Sequence, residues 1–140
     1  FCMSLSSDCF AALDREKVFE NSGHRTRFKE LLDCYGSYPF FSKGLCKCMY
    51  LSAWDEQHFC IMLETLMEMT LGNDKNTHEM REKGDLLAEE QKDAEYYVYE
   101  LSNSFLDNKP FVMDSLGEVS PDIMYIICRA IHAAEIIDRV

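Results

Sequence analysis

Residues 54–71 read WDEQHFCIMLETLMEMTL, and ten of these eighteen residues are apolar. Placed on a helix, Gln57, Glu64 and Glu68 share one narrow strip with Ile61 at its edge, while Phe59, Met62, Leu63, Leu66 and Met67 spread over most of the remaining surface. A helix apolar on that many sides needs several neighbours, so the stretch predicts an all-α bundle with this helix at its centre. Ser52 and Asp55 fit a capping box at its start, and Gly72 is placed to close its end.

The flanking sequence supplies the neighbours. Upstream, Ser42 can cap a short helix through Leu45, Cys48, Met49 and Leu51. The turn Ser37–Phe41 (SYPFF) before it carries three aromatics and is expected to lid the bundle, since Pro39 forbids a continuing helix. A helix over about 25–35 presents Phe28, Leu31, Leu32 and Tyr35 on one face, with Gly36 as its stop. Leu5, Cys9, Ala12, Leu13 and Phe19 follow helical spacing over 5–20, with Ser22 and Gly23 expected to end that helix.

Downstream, Met80, Gly84, Leu87, Gln91, Ala94, Val98, Leu101 and Phe105 alternate spacings of four and three, a heptad seam. The seam predicts a long acidic helix over about 77–107, about 46 Å at full length, with Gly84 the place where it would break. After a connection containing Pro110 and Gly117, Ser120, Pro121 and Asp122 give an N-cap, an N1 proline and an acidic first turn. The last helix then buries Ile123, Ile127, Ala130, Ala134 and Ile137. Together these segments predict one all-α domain over 1–140, a compact bundle of five or six helices.

Composition narrows the function. A net charge of −11 is concentrated late: residues 1–50 hold seven Lys or Arg against six Asp or Glu, residues 51–140 seven against nineteen. Such a field repels phosphates and anionic lipid, which disfavours direct nucleic-acid and membrane binding and suits a basic partner. His24, Arg25, Arg27 and Lys29 form the one basic cluster. No apolar run reaches the roughly 18 residues of a membrane span, and Phe1 and Cys2 ahead of Met3 lack the basic start and apolar segment of a signal peptide. The seven cysteines lack scaffold spacing and several occupy apolar helical positions, as reduced core thiols in a cytoplasmic protein would.

Two carboxylate sets bear on catalysis: Glu89, Glu90 and Asp93 (EExxD), and Glu135 and Asp138 (ExxD). Carboxylates one turn apart share a helix face, and two such helices together can hold Mg²⁺ against nucleotide phosphates. The arrangement is loosely similar to the EExxE and ExxD motifs of all-α nucleotide pyrophosphatases of the MazG type. That resemblance implies a Mg-dependent nucleotide hydrolase as the alternative function. Forty-one residues separate Asp93 from Glu135 here, more than that pattern usually has. Asp55 with His58, and His132 with Glu135, place a carboxylate and an imidazole one turn apart, but neither pair has the order of a di-metal bundle. Cys46 and Cys48, two apart, diverge on a helix and cannot share an ion.

No nucleophile elbow, P-loop or dinucleotide fingerprint is present. The favoured expectation is therefore a non-enzymatic interaction module with no cofactor and no bound metal, engaging a protein partner or a second copy. A specific form is an acidic inhibitor or adaptor that engages a basic protein surface through its helix carboxylates. Tyr125, Arg129, His132 and Ile136 read as one outward stripe of the last helix, and Tyr96, Tyr97 and Tyr99 crowd the heptad helix. Tyrosine and arginine are enriched at interfaces, so these seven residues are the expected contact surface.

Overall fold

The structure, a computed structural model, describes residues 4–71, 96–113 and 119–140. Among these residues the regular structure is entirely helical: α1 (Leu5–Arg15), α2 (Ser22–Tyr35), α3 (Lys43–Ser52), α4 (Glu56–Leu71), α5 (Tyr96–Asp107) and α6 (Pro121–Asp138). An all-α bundle is thus what the chain forms. Of the heptad segment only α5 is described; 77–95, with Gly84, lies outside the described residues. Within α5 the seam positions Val98 and Leu101 are buried, and Phe105 packs against the same core.

Several helix ends differ from the periodicity reading, each for a local reason. Ser4 caps α1 by accepting from the Ser7 amide at 3.2 Å. The helix stops at Arg15 rather than continuing to Glu20, because Lys17 adopts a left-handed backbone with φ 54. The Val18 amide then returns to the Leu13 carbonyl at 3.4 Å, as in a Schellman closure. Ser22 and Gly23, expected as a stop, form the first turn of α2 instead. Asn21 is its N-cap, accepting from the His24 amide at 2.9 Å.

The cap of α4 also shifts. Ser52 belongs to α3, where its hydroxyl donates to the Met49 carbonyl at 3.1 Å. Asp55 alone caps α4, its Oδ1 accepting from the His58 amide at 2.7 Å. The same carboxylate lies 2.7 and 2.9 Å from His58 Nδ1, which fixes the ring. The caps of α3 and α6 fall where expected: Ser42 accepts from the Leu45 amide, and Ser120 from the Ile123 amide ahead of Pro121.

The centre of the bundle is not where the periodicity places it. Helix α3, not the Trp54–Leu71 segment, is the hub: it packs against α2, α4, α5 and α6, and seven consecutive residues, Leu45–Leu51, are buried. Helix α4 lies to one side, with Met67 and Leu71 half or more exposed. At ten residues α3 shows less than three turns of periodicity, so its all-round burial is written in composition rather than in a stripe. Gly44 makes the close packing possible. A Cβ there would stand 2.6 Å from the Phe105 carbonyl oxygen, so the α3 and α5 backbones meet directly.

Lys47 is the exception among the buried α3 residues. Its ammonium reaches Asp138 Oδ1 at 2.7 Å, and Lys43, one turn earlier, donates to the main-chain oxygens of Asp138 and Val140. Two lysines thus close the C-terminal end of α6, where unsatisfied carbonyls and the negative helix pole favour cations. In the aromatic turn, Phe40 is buried and stacks on the partly exposed Tyr38 with ring centroids 5.3 Å apart.

The thiols behave as core groups where they are buried. Cys9, Cys46 and Cys48 are almost inaccessible, and burial pushes the Cys48 thiol up to about 12. The six described cysteines are all free. No helix among the described residues is long and apolar enough to cross a membrane.

Candidate functional site

The N-terminal half of α6 meets the α3–α4 junction and the loop before α2, and a notch forms where they converge. Its floor is set by His24, held at the third position of α2 by the Asn21 cap. His24 Nδ1 accepts from the Glu20 amide at 3.1 Å. An amide can only donate, so Nε2 carries the proton and donates to the Tyr50 carbonyl at 2.8 Å. Burial lowers this imidazole to about 4. Tyr50, its ring 4.5 Å from His24, donates its hydroxyl to the Val18 carbonyl. Burial pushes that phenol up to about 12.

The basic cluster read from the sequence is thereby taken apart. His24 is a core residue, Arg25 pairs with Asp14 at 2.7 Å, and Lys29 pairs with Asp33 at 2.9 Å. Arg27 instead spans to the α3–α4 turn, donating to the Ala53 and Trp54 carbonyls at 2.7 and 2.9 Å. These bonds fix the turn that presents Trp54 while leaving the guanidinium charge unneutralised by a carboxylate among the described residues.

Glu20, His24, Tyr50, Trp54, Ile126 and Arg129 line the notch, whose cavity of about 10 Å³ admits one water-sized group. Trp54 Nε1 and Arg129 Nε are both buried and lack a hydrogen-bond partner. Arg129 makes no ion pair among the described residues. Its guanidinium carbon sits 5.8 Å from the centre of the Tyr125 ring, a cation–π contact at the rim.

Outside the notch, α6 turns a mixed face to solvent. Tyr125 is 50% exposed and Ile131 45%, and Cys128, His132, Glu135 and Arg139 are exposed with them. The expected stripe of Tyr125, Arg129, His132 and Ile136 holds for its first three members, with Arg129 only partly exposed. Ile136 is corrected: it is 3% exposed and belongs to the core. The buried arc of α6 is wider in its C-terminal half, where Ala133, Ala134, Ile136 and Ile137 are all covered.

The tyrosines of α5 turn inward as well. Tyr99 is buried, with its ring 5.8 Å from His58, so its place on an outward surface is corrected. Tyr96 and Tyr97 are half-buried, packed edge to face at 5.2 Å, and Tyr97 meets Phe111 at 6.3 Å. Of the carboxylates proposed for metal, Glu89, Glu90 and Asp93 lie outside the described residues. Glu135 is exposed on α6, and Asp138 is engaged by Lys47. Among the described residues no three His, Cys, Asp or Glu side chains are grouped to hold an ion.

Chemically, the notch sets the Trp54 and Arg129 N–H donors beside the Glu20 carboxylate, and its imidazole has both nitrogens committed. It is suited to receiving an acceptor rather than to moving protons. The sequence marks Arg129 through its spacing from Tyr125; Trp54, Glu20 and His24 join it only through the fold. Comparisons with protein-family models, with curated proteins and with solved structures gave no match.

Proposed function

We propose that this chain is a non-enzymatic helical interaction module that engages a protein partner through the outward face of α6. The observation that carries the reading is the half exposure of Tyr125 and Ile131 on that face, with Arg129 against the Tyr125 ring at the mouth of the notch. Aromatic, arginine and aliphatic side chains left together on a surface are what the core of a protein interface is made of. Where that partner is a different protein, the net charge of −11 favours one that is basic at the region contacted. In that setting the module acts as an adaptor or as an acidic inhibitor.

The test compares the native chain with the Tyr125→Ser/Ile131→Ser variant. Both substitutions are at exposed positions, so circular dichroism should be unchanged. Affinity capture from the cell of origin and sedimentation analysis are expected to return a stoichiometric partner or self-association with the native chain and neither with the variant. A native chain that is monomeric and recovers nothing overturns the reading.

A further inference from the structure

On the outward face of α6, Tyr125, Arg129, Glu135 and Arg139 stand seven and three residues before, and three and seven residues after, His132. Separations of three and seven return to the same side of a helix, so all five positions share one face. The sequence of chemical types along it is aromatic, cation, imidazole, anion, cation. Read backwards against itself about His132, it pairs Tyr125 with Arg139 and Arg129 with Glu135.

From this we infer that the partner of the α6 face is a second copy of the same chain, docked antiparallel with the two-fold axis at His132. The inference rests on the interaction reading above and names its partner. A two-fold interface uses one patch twice, so a face complementary to its own reverse is the feature it requires. Two observations bear on the Arg129–Glu135 pair. Arg129, partly exposed, makes no ion pair among the described residues, and Glu135 is exposed and likewise makes none among them. Each supplies what the other lacks, twice over, across the seam. Arg139 of each copy reaches the half-exposed Tyr125 ring of the other, giving that ring a second cation beside the Arg129 it already holds.

The seam is one helix pair overlapping over about 21 Å, at the small end of specific interfaces, and each copy brings eleven negative charges. Both facts make the dimer a weak, reversible one, with repulsion beyond about 8 Å screened in physiological salt.

Sedimentation velocity on the full chain, from about 10 μM to 1 mM in 0.15 M salt, tests this. Reductant is included so that exposed Cys34, Cys60 and Cys128 form no disulfide. The expected result is a concentration-dependent monomer–dimer equilibrium. Glu135→Arg, which sets arginine against arginine, should weaken it about tenfold or more, and R129E/E135R should recover it to within about threefold of the native chain. Because Arg129 also lines the notch, a second swap uses two exposed positions: Tyr125→Arg should weaken the dimer and Y125R/R139Y should restore it. A chain monomeric at 1 mM overturns the inference, as does a dimer indifferent to Glu135→Arg or left unrestored by both swaps in folded variants. If the chain is monomeric but a different protein is captured and then lost with Tyr125→Ser/Ile131→Ser, the interaction reading stands and only the second copy is excluded.

Discussion

His24 Nε2 and the Tyr50 carbonyl oxygen are 2.8 Å apart, and with the Glu20 amide on Nδ1 they hold a neutral imidazole inside the bundle. The ring ties the loop before α2 to the end of α3. Protonating it would convert Nδ1 from acceptor to donor facing another donor, in a site that burial already makes hostile to charge.

Acid should therefore destabilise the fold through this residue. The folded value is about 4 against an ordinary 6.5, so in between the unfolded chain binds a proton that the native one refuses. Stability is full above about 6.5 and falls as pH drops toward 4, by about 3 kcal/mol. Urea denaturation at pH 7 and pH 4.5 measures the loss. His24→Gln should lower stability at pH 7 and lose most of that slope; an unchanged slope would remove His24 as its source.

Gly44→Ala should destabilise despite alanine's better helix propensity. The added methyl would sit 2.6 Å from the Phe105 carbonyl oxygen, a backbone atom that moves only if α5 moves. Overpacking of this kind costs about 1–3 kcal/mol, against about 1 kcal/mol gained in propensity. A net loss of up to about 2 kcal/mol in chemical denaturation is expected; a stabilised variant would show that α5 yields freely.

Lys47 and Asp138 should give strongly non-additive mutants. The Lys47 side chain is 10% exposed and that of Asp138 60%, so Asp138→Asn strands a nearly buried ammonium whereas Lys47→Met leaves a carboxylate that water can solvate. The first should cost about 1–2 kcal/mol and the second less than about 1. The double variant should be more stable than Asp138→Asn alone. Purely additive losses would mean that the pair contributes nothing beyond its separate side chains.

How far the sequence could be read depended on how long each signal ran. Helix α6, eighteen residues with cap, proline and acid at its start, was legible almost residue by residue, and its Ile127, Ala130, Ala134 and Ile137 are buried as expected. The sequence marks α3 but not its central place, because ten residues cannot separate an all-round apolar helix from a striped one. The end of α1 carries no sequence signal, because a lysine takes the left-handed position that glycine usually marks. Within the site, Tyr125, Arg129 and His132 were legible from spacing. Ile136 was not, since the width of the buried arc changes along α6 and only neighbouring helices decide it. The Trp54–Arg129 notch joins residues seventy-five positions apart, a proximity that no local pattern encodes.

The position of α3 also orders events in time. During synthesis this helix emerges with α1 and α2, yet two of the surfaces that cover it, α5 and α6, follow roughly fifty and eighty residues later. Until then the side of α3 that carries Gly44 and Cys48 has no α5 to cover it, and the lysines at its start have no helix end to hold. The covering of the central helix is completed last, so the nascent first half exposes apolar surface that the finished bundle hides.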